Sequence, residues 1–170
     1  NSDEGFLLYA SLASVKIDDI QSLLKEIKKP RENHIIRALA RHGDREAEKR
    51  LIEAAEKSTK TGENIRSSFE ALSYAASPSI REYLAKGLRS DRLVNLPSGE
   101  VRSKLLLCAE ALTYIYRDNT DFPFPTVNEI KIDNDLAVLE KWCSDNLGVE
   151  YPSTPRTSIT RKPSIRREPK

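Results

Sequence analysis

One pattern is written twice between Ile35 and Leu88, and it restricts the fold of this 170-residue chain more than any other feature. The first copy reads Ala38-Leu39, Gly43-Asp44, Ala47, Leu51 and Ala54-Ala55. The second reads Ala71-Leu72, Ala76-Ser77, Ile80, Leu84 and Gly87-Leu88. Corresponding residues stand 33 positions apart throughout. A fixed period of roughly 20–50 residues marks stacked supersecondary units. One such unit cannot bury its own apolar face, so the units must stack.

Each copy reads as two amphipathic helices joined by a tight break. Ile35, Ile36, Leu39 and His42 recur at helical spacing. Gly43 ends that helix, since it takes the left-handed conformation a C-terminal cap needs. Asp44 follows as N-cap, and Ala47, Leu51, Ala54 and Ala55 form the next stripe. The second copy has Ser77 as N-cap and Pro78 at the first helical position, where a missing N–H costs nothing. Small residues at Ala38, Ala47, Ala71 and Ala75 suit close helix packing, and Leu51 and Leu84 are expected to be equivalent buried positions.

The run Ala38-Leu39-Ala40-Arg41-His42-Gly43-Asp44-Arg45-Glu46-Ala47, with Leu51 after it, resembles the HEAT-like repeat of the phycobilisome-lyase type. The resemblance covers two units. It implies an α-solenoid, usually a protein-binding scaffold. Such lyase-type repeats also occur in proteins that handle bilin chromophores, although nothing in this chain marks a chromophore pocket. The expected fold is all-α, with a solenoid of about four stacked antiparallel helix pairs over residues 1–150 and a disordered basic tail over 151–170.

Read in order, Glu4 to Ser14 predicts a short helix. Asp18 or Asp19 caps a second, with Ile20, Leu23, Leu24 and Ile27 inward, and together they form a shortened capping unit closed by Lys28-Lys29-Pro30. The second unit spans His34 to Ser58 and the third Asn64 to Ser90, with Thr59 to Glu63 as a polar turn. A break from Asp91 to Glu100 precedes a helix starting at Ser98 or Gly99. That helix points Val101, Leu105, Cys108, Leu112 and Ile115 inward and ends near Tyr116. An irregular segment from Asp118 to Asp133 leads to a last helix, Asn134 to Leu147, which carries Leu136, Leu139 and Cys143 and is ended by Gly148. Cys108 and Cys143 both fall on apolar stripes, which predicts facing helices. They read as small buried hydrophobes, with one disulfide in an oxidising compartment as the alternative.

From Tyr151 onward the composition changes. This stretch holds six Lys or Arg against Glu168 alone, a net of +5. The chain's 28 basic and 26 acidic residues then leave 22 and 25 in the body, a net of −3. The tail's apolar content is too small to offset the entropy of ordering it. Arg161 to Ser164 and Arg156-Thr157-Ser158 match basic-directed phosphorylation patterns, and Pro152-Ser153-Thr154-Pro155 has the spacing of a proline-helix ligand. No apolar run approaches the roughly 20 residues of a membrane helix. A start at Asn1 in a chain without Met fits either a processed secreted protein or a fragment of a longer chain, and the compartment stays open.

The search for chemistry yields no catalytic residues, no cofactor and no metal. The six glycines never cluster, so no phosphate loop exists. His34 and His42 lie eight residues apart, about 12 Å of helical rise, too far for one metal. Asp118, Asp121, Glu129 and Asp133-Asn134-Asp135 are oxygen-rich but lack the spacing and the glycine of a calcium loop, and an N-cap before Leu136 accounts for the cluster's end. Arg37, Arg41, Arg45, Arg66, Arg81 and Arg89 would form a basic stripe, but Glu46, Glu48, Glu53, Glu70 and Glu82 interrupt it. Phe122-Pro123-Phe124-Pro125 suits either an anchor for a partner or a lid over the last helix pair.

The expected function, motivated by the resemblance, is non-enzymatic binding of another protein along the second helices of the pairs. Candidate contacts are Arg45, Lys49, Arg81, Glu82 and Lys86, with Phe122 and Phe124 in the insertion. The alternatives are nucleic-acid or anionic-surface binding through the basic tail and arginine-bearing helices, and an accessory subunit of a lyase-like enzyme.

Overall fold

The spacing of apolar residues and caps becomes helix where the repeat requires it. The structure, a computed structural model, describes residues 32–124 and 134–153. The expected capping unit before residue 32, the segment 125–133 with Glu129 and Asp133, and the tail from 154 onward lie outside the described residues. The elements are α1 (Glu32–Arg41), α2 (Arg45–Thr61), α3 (Ile65–Ala75), α4 (Pro78–Gly87), β1 (Leu93–Asn95), β2 (Val101–Ser103), α5 (Lys104–Tyr116) and α6 (Asn134–Leu147).

The caps carry the period. Asp44 accepts from the Ala47 N–H at 2.8 Å, and its repeat partner Ser77 accepts from the Ile80 N–H at 3.5 Å. Pro78 opens α4. The core repeats in the same register. Ala38 and Ala71, Leu39 and Leu72, Ala47 and Ile80, Leu51 and Leu84, and Ala55 and Leu88 are all buried. Ile36 is only half-buried, and two positions of the expected stripes face solvent. His42 and Ala54 are exposed: His42 lies in the turn beyond the end of α1, and Ala54 on the solvent side of α2.

Helices two apart in the chain pack on one another. α1 meets α3, α3 meets α5, α2 meets α4 and α4 meets α6, while α1–α2, α2–α3 and α4–α5 join the two rows. Arg89 of the α4 terminus reaches Glu140 of α6 at 2.7 Å, in a largely buried ion pair.

Three expectations are corrected. First, the described chain is mostly helical rather than all-α. β1 and β2 form an antiparallel hairpin that pairs Leu93 with Ser103, Val94 with Arg102 and Asn95 with Val101. The helix expected from Ser98 or Gly99 starts at Lys104, and Val101 is 54% exposed on β2 instead of inward. The cause is the turn Leu96-Pro97-Ser98-Gly99, in which the Gly99 N–H donates to the Leu96 carbonyl at 2.9 Å. Pro at the second and Gly at the fourth position favour such a turn.

Second, the polar link after Ser58 is shorter than expected, because α2 runs to Thr61 and Gly62 caps it with φ +76°. A Cβ at Gly62 would run into the Asn95 carbonyl oxygen, so the hairpin lies tight against the end of α2. Third, Tyr151, expected to open the disordered tail, packs on the body. Val149 is buried, and the Tyr151 hydroxyl donates to the Ala85 carbonyl at 3.0 Å, with Arg89 over its ring.

Candidate functional site

The expected contact residues divide into two groups. Arg45, Lys49, Glu82 and Lys86 are exposed on α2 and α4, which pack side by side. Lys49 lies 4.0 Å from Glu53, and Lys86 donates to Glu82 at 2.6 Å; both are pairs one helical turn apart. Arg81 is half-buried, with its guanidinium 5.5 Å from the Tyr116 ring centroid. It therefore serves the interior as much as the surface.

Phe122 and Phe124 are buried. Phe122 stacks on Tyr116 at 5.5 Å and meets Trp142 edge-on at 4.9 Å, and Trp142 meets Tyr116 at 4.7 Å. Phe122 and Phe124 thus turn inward, and Phe122 packs where α5 meets α6. Cys108 and Cys143 are free and buried. The Cys108 helix packs against α4, as does the Cys143 helix, and the α5–α6 meeting point described here is the Tyr116–Trp142 contact. A Cβ at Gly87 would strike the Cys108 sulfur, so α4 and α5 approach closely there. Burial pushes both thiols up to about 12, which keeps them protonated at neutral pH and unsuited to nucleophilic attack.

A polar knot lies under the hairpin, and nothing in the sequence pattern announced it. Lys104, the first residue of α5, is only 9% exposed. Its ammonium donates to Glu56 of α2 and sits 5.1 Å from the Tyr83 ring centroid. The Tyr83 hydroxyl donates to the same carboxylate at 2.8 Å, and Arg92 approaches it at 3.5 Å. Burial pushes the Glu56 carboxyl up, but the bonds from Lys104 and Tyr83 and the charges of Lys104 and Arg92 outweigh that and hold it below its usual range. Burial, then the bond to Glu56, raises the Tyr83 phenol. Donors and acceptor are matched, as a buried charge requires, and the knot ties α2, α4, α5 and the hairpin together.

Between α3, α5 and the hairpin lies a groove of about 390 Å³. Ile65, Phe69, Leu96, Leu107 and Ala111 supply its apolar lining, and exposed Tyr114 stands at its edge. The Ser73 hydroxyl donates to the Phe69 carbonyl at 2.9 Å and to the Ala111 carbonyl at 3.5 Å, which joins α3 to α5 across the floor. A second hollow of about 480 Å³ continues it toward Gly62 and Pro97, and the two share Ile65, Arg66, Glu70 and Leu96.

Charged groups rim this trough. Arg66 donates to Glu70 at 2.9 Å. Arg102 donates to Glu100 at 2.9 Å and lies 3.7 Å from Glu110. Burial raises the Glu110 carboxyl, the charges of Arg102 and Arg66 oppose that, and Glu100 adds to it. The arginines of the expected stripe are mostly engaged elsewhere. Arg37 donates to the Ser67 carbonyl at 3.5 Å, and Arg41 donates to that of Tyr74 at 3.4 Å.

Among the described residues, no group of three or more His, Cys, Asp or Glu is placed to hold a metal ion, and no helix is long and apolar enough to cross a membrane. Asp118 and Asp121 are exposed. Comparison of the chain with protein-family models, curated proteins and solved structures gives no match.

Proposed function

We propose that this chain is a non-enzymatic protein-binding scaffold built as an α-solenoid, with a contact surface formed by the second helices of its repeat. The observation that supports this most is the 33-residue register, which recurs in the caps Asp44 and Ser77 and in the buried pairs Leu51/Leu84 and Ala55/Leu88. The register sets α2 beside α4, with Arg45, Lys49, Glu82 and Lys86 exposed on the two helices. Stacked helix pairs of this kind make extended surfaces suited to a macromolecular partner. The resemblance of residues 38–51 to HEAT-like repeats points the same way.

The engagement of Arg37, Arg41, Arg66 and Arg89 with carbonyls, Glu70 and Glu140 weakens the case for a phosphate-tracking stripe. Retention of partners on the immobilised chain tests the reading. Charge reversal at Arg45, Lys49 and Lys86 together is expected to release the retained protein, while nuclease treatment is not. Retention that survives the reversal, or that collapses with nuclease and follows a steep salt dependence, overturns it.

A further inference from the structure

The trough between α3, α5 and the hairpin has a composition that selects its occupant. Its floor is apolar, and Tyr114 adds an exposed aromatic at one end. Along α3 it runs from Asn64 to Ser73. That is about 14 Å at 1.5 Å per residue, or roughly four residues of extended chain.

The lining carries two carboxylates, Glu70 and Glu110, and two guanidinium groups, Arg66 and Arg102, with Glu100 paired to Arg102 just outside it. Arg66 is committed to Glu70 at 2.9 Å and Arg102 to Glu100 at 2.9 Å. Glu110 is left with a share of Arg102 at 3.7 Å. It is half-buried, whereas Glu70 and Glu100 are exposed, and the charges of Arg102 and Arg66 do not offset that burial.

We propose that this trough binds an extended segment of another protein, about four residues long, that sets a lysine or arginine beside Glu110 between two apolar side chains. The proposal rests on the protein-binding reading above and gives it a second, chemically defined site apart from the α2–α4 exterior. An incoming ammonium or guanidinium adds to the positive charge beside Glu110, and the flanking apolar side chains pack on half-buried Leu96 and exposed Tyr114. An acidic segment, or a nucleic-acid phosphate, meets Glu110 and Glu100 sharing the one Arg102 instead, and like charges brought together in an interface are costly. The raised carboxyl of Glu110 agrees with a group awaiting a cation.

The test is an amide-resolved NMR titration of the full chain with three blocked hexapeptides, Ser-Leu-Arg-Leu-Ser-Gly, the same peptide with Glu for Arg, and the same peptide with Ser for both Leu. The arginine peptide is expected to shift the amides of Arg66, Glu70, Glu110 and Tyr114 together. The glutamate and serine peptides are expected to bind about tenfold or more weakly, a step of about 1.4 kcal/mol. Glu110→Gln should erase the preference for arginine over glutamate, and Tyr114→Ala should weaken all three peptides, with both variants keeping the remaining amide pattern.

Equal binding of the glutamate peptide, shifts confined to another face, or an arginine preference that survives Glu110→Gln each overturns the proposal. So does the absence of any shift. If partner retention still depends on Arg45, Lys49 and Lys86 in that event, the scaffold reading stands and the trough alone is lost.

Discussion

Gly43 and Ala76 stand one repeat apart and both hold left-handed backbone, with φ of +85° and +49°. Each ends a first helix and immediately precedes an N-cap, Asp44 or Ser77. The break between paired helices therefore passes through left-handed backbone at the same register position twice, with glycine once and alanine once, although Gly43 donates to the Ala40 carbonyl and Ala76 to that of Leu72. Alanine there carries a steric cost that glycine does not, on the order of 1–2 kcal/mol.

Ala76→Gly should accordingly stabilise the protein. The relief of strain is partly offset by the greater freedom glycine gives the unfolded chain, so the expected gain is about 0.5–1 kcal/mol. Gly43→Ala should cost a similar amount by the same argument, with no clash involved, since a Cβ at Gly43 meets open space. Urea titration of both variants checks the pair. A loss of stability in Ala76→Gly would show that the turn is not strained.

Leu51 and Leu84 are the same position in successive repeats, but they are not equally enclosed. Leu84 is fully buried and Leu51 is 8% exposed. Leu→Ala in a core costs about 2–5 kcal/mol, more where the site cannot collapse. Leu84→Ala should fall in the upper half of that range and Leu51→Ala in the lower half. Denaturant midpoints at constant slope measure both, and a cost under about 1 kcal/mol at either position would break the equivalence.

The parts of the fold legible in the sequence are those set by local chemistry or by a regular period. Asp44, Ser77 and Pro78 are visible because a cap acts on the next three residues, and Leu51 and Leu84 because a period repeats. Val101 shows how the same reasoning misleads. It stands four residues before Leu105 and so extends the α5 stripe backwards, yet the turn at Pro97 and Gly99 folds it into a strand whose outer face is solvent. The turn residues carried the better signal, since Pro and Gly fix backbone angles while two apolar residues four apart do not.

Lys104 and Glu56 are 48 residues apart, and no local rule pairs them. A lysine at a helix start reads as surface until three elements close around it. The trough is likewise made by side chains of α3, α5 and the hairpin, and depends on packing that no single stretch encodes. Four of the contact candidates lie on the surface because charged residues opposite an apolar stripe must. Phe122 and Phe124 were ambiguous because a loop aromatic has no periodicity to say which way it faces.

The knot makes a prediction about acid. Glu56 has a folded carboxyl held below its ordinary value of 4.5, so the unfolded chain takes up the proton first. Its contribution to stability is complete above that ordinary value and is lost as pH falls through the folded one. Glu56→Gln should cost roughly 1.5–3 kcal/mol at pH 7, the range for hydrogen bonds to charged groups. The lower end is expected because a third of the side chain meets solvent, which screens it. At pH 3 the gap should narrow. In the double variant Glu56→Gln, Lys104→Met much of the loss should return, since removing both charges leaves neither stranded. Additive costs in that cycle would mean the two groups do not interact.

Glu110 reverses the sign. Burial raises its folded carboxyl above 4.5, and the ion pair with Arg102 does not cancel this because Arg102 leans on Glu100. Below the ordinary carboxyl range both folded and unfolded chains carry the proton, and Glu110 costs nothing. As pH rises through 4.5 the unfolded chain ionises first, so stability falls until the folded carboxyl has titrated as well, and the penalty persists above that. Glu110→Gln keeps the shape and removes the charge. It should melt at a higher temperature than the parent chain at pH 7, with the advantage shrinking to nothing by pH 3. Melting curves at the two pH values give the comparison. A variant less stable at pH 7 would mean that the pair with Arg102 outweighs the burial of Glu110, and the carboxylate would then be a structural partner of the hairpin.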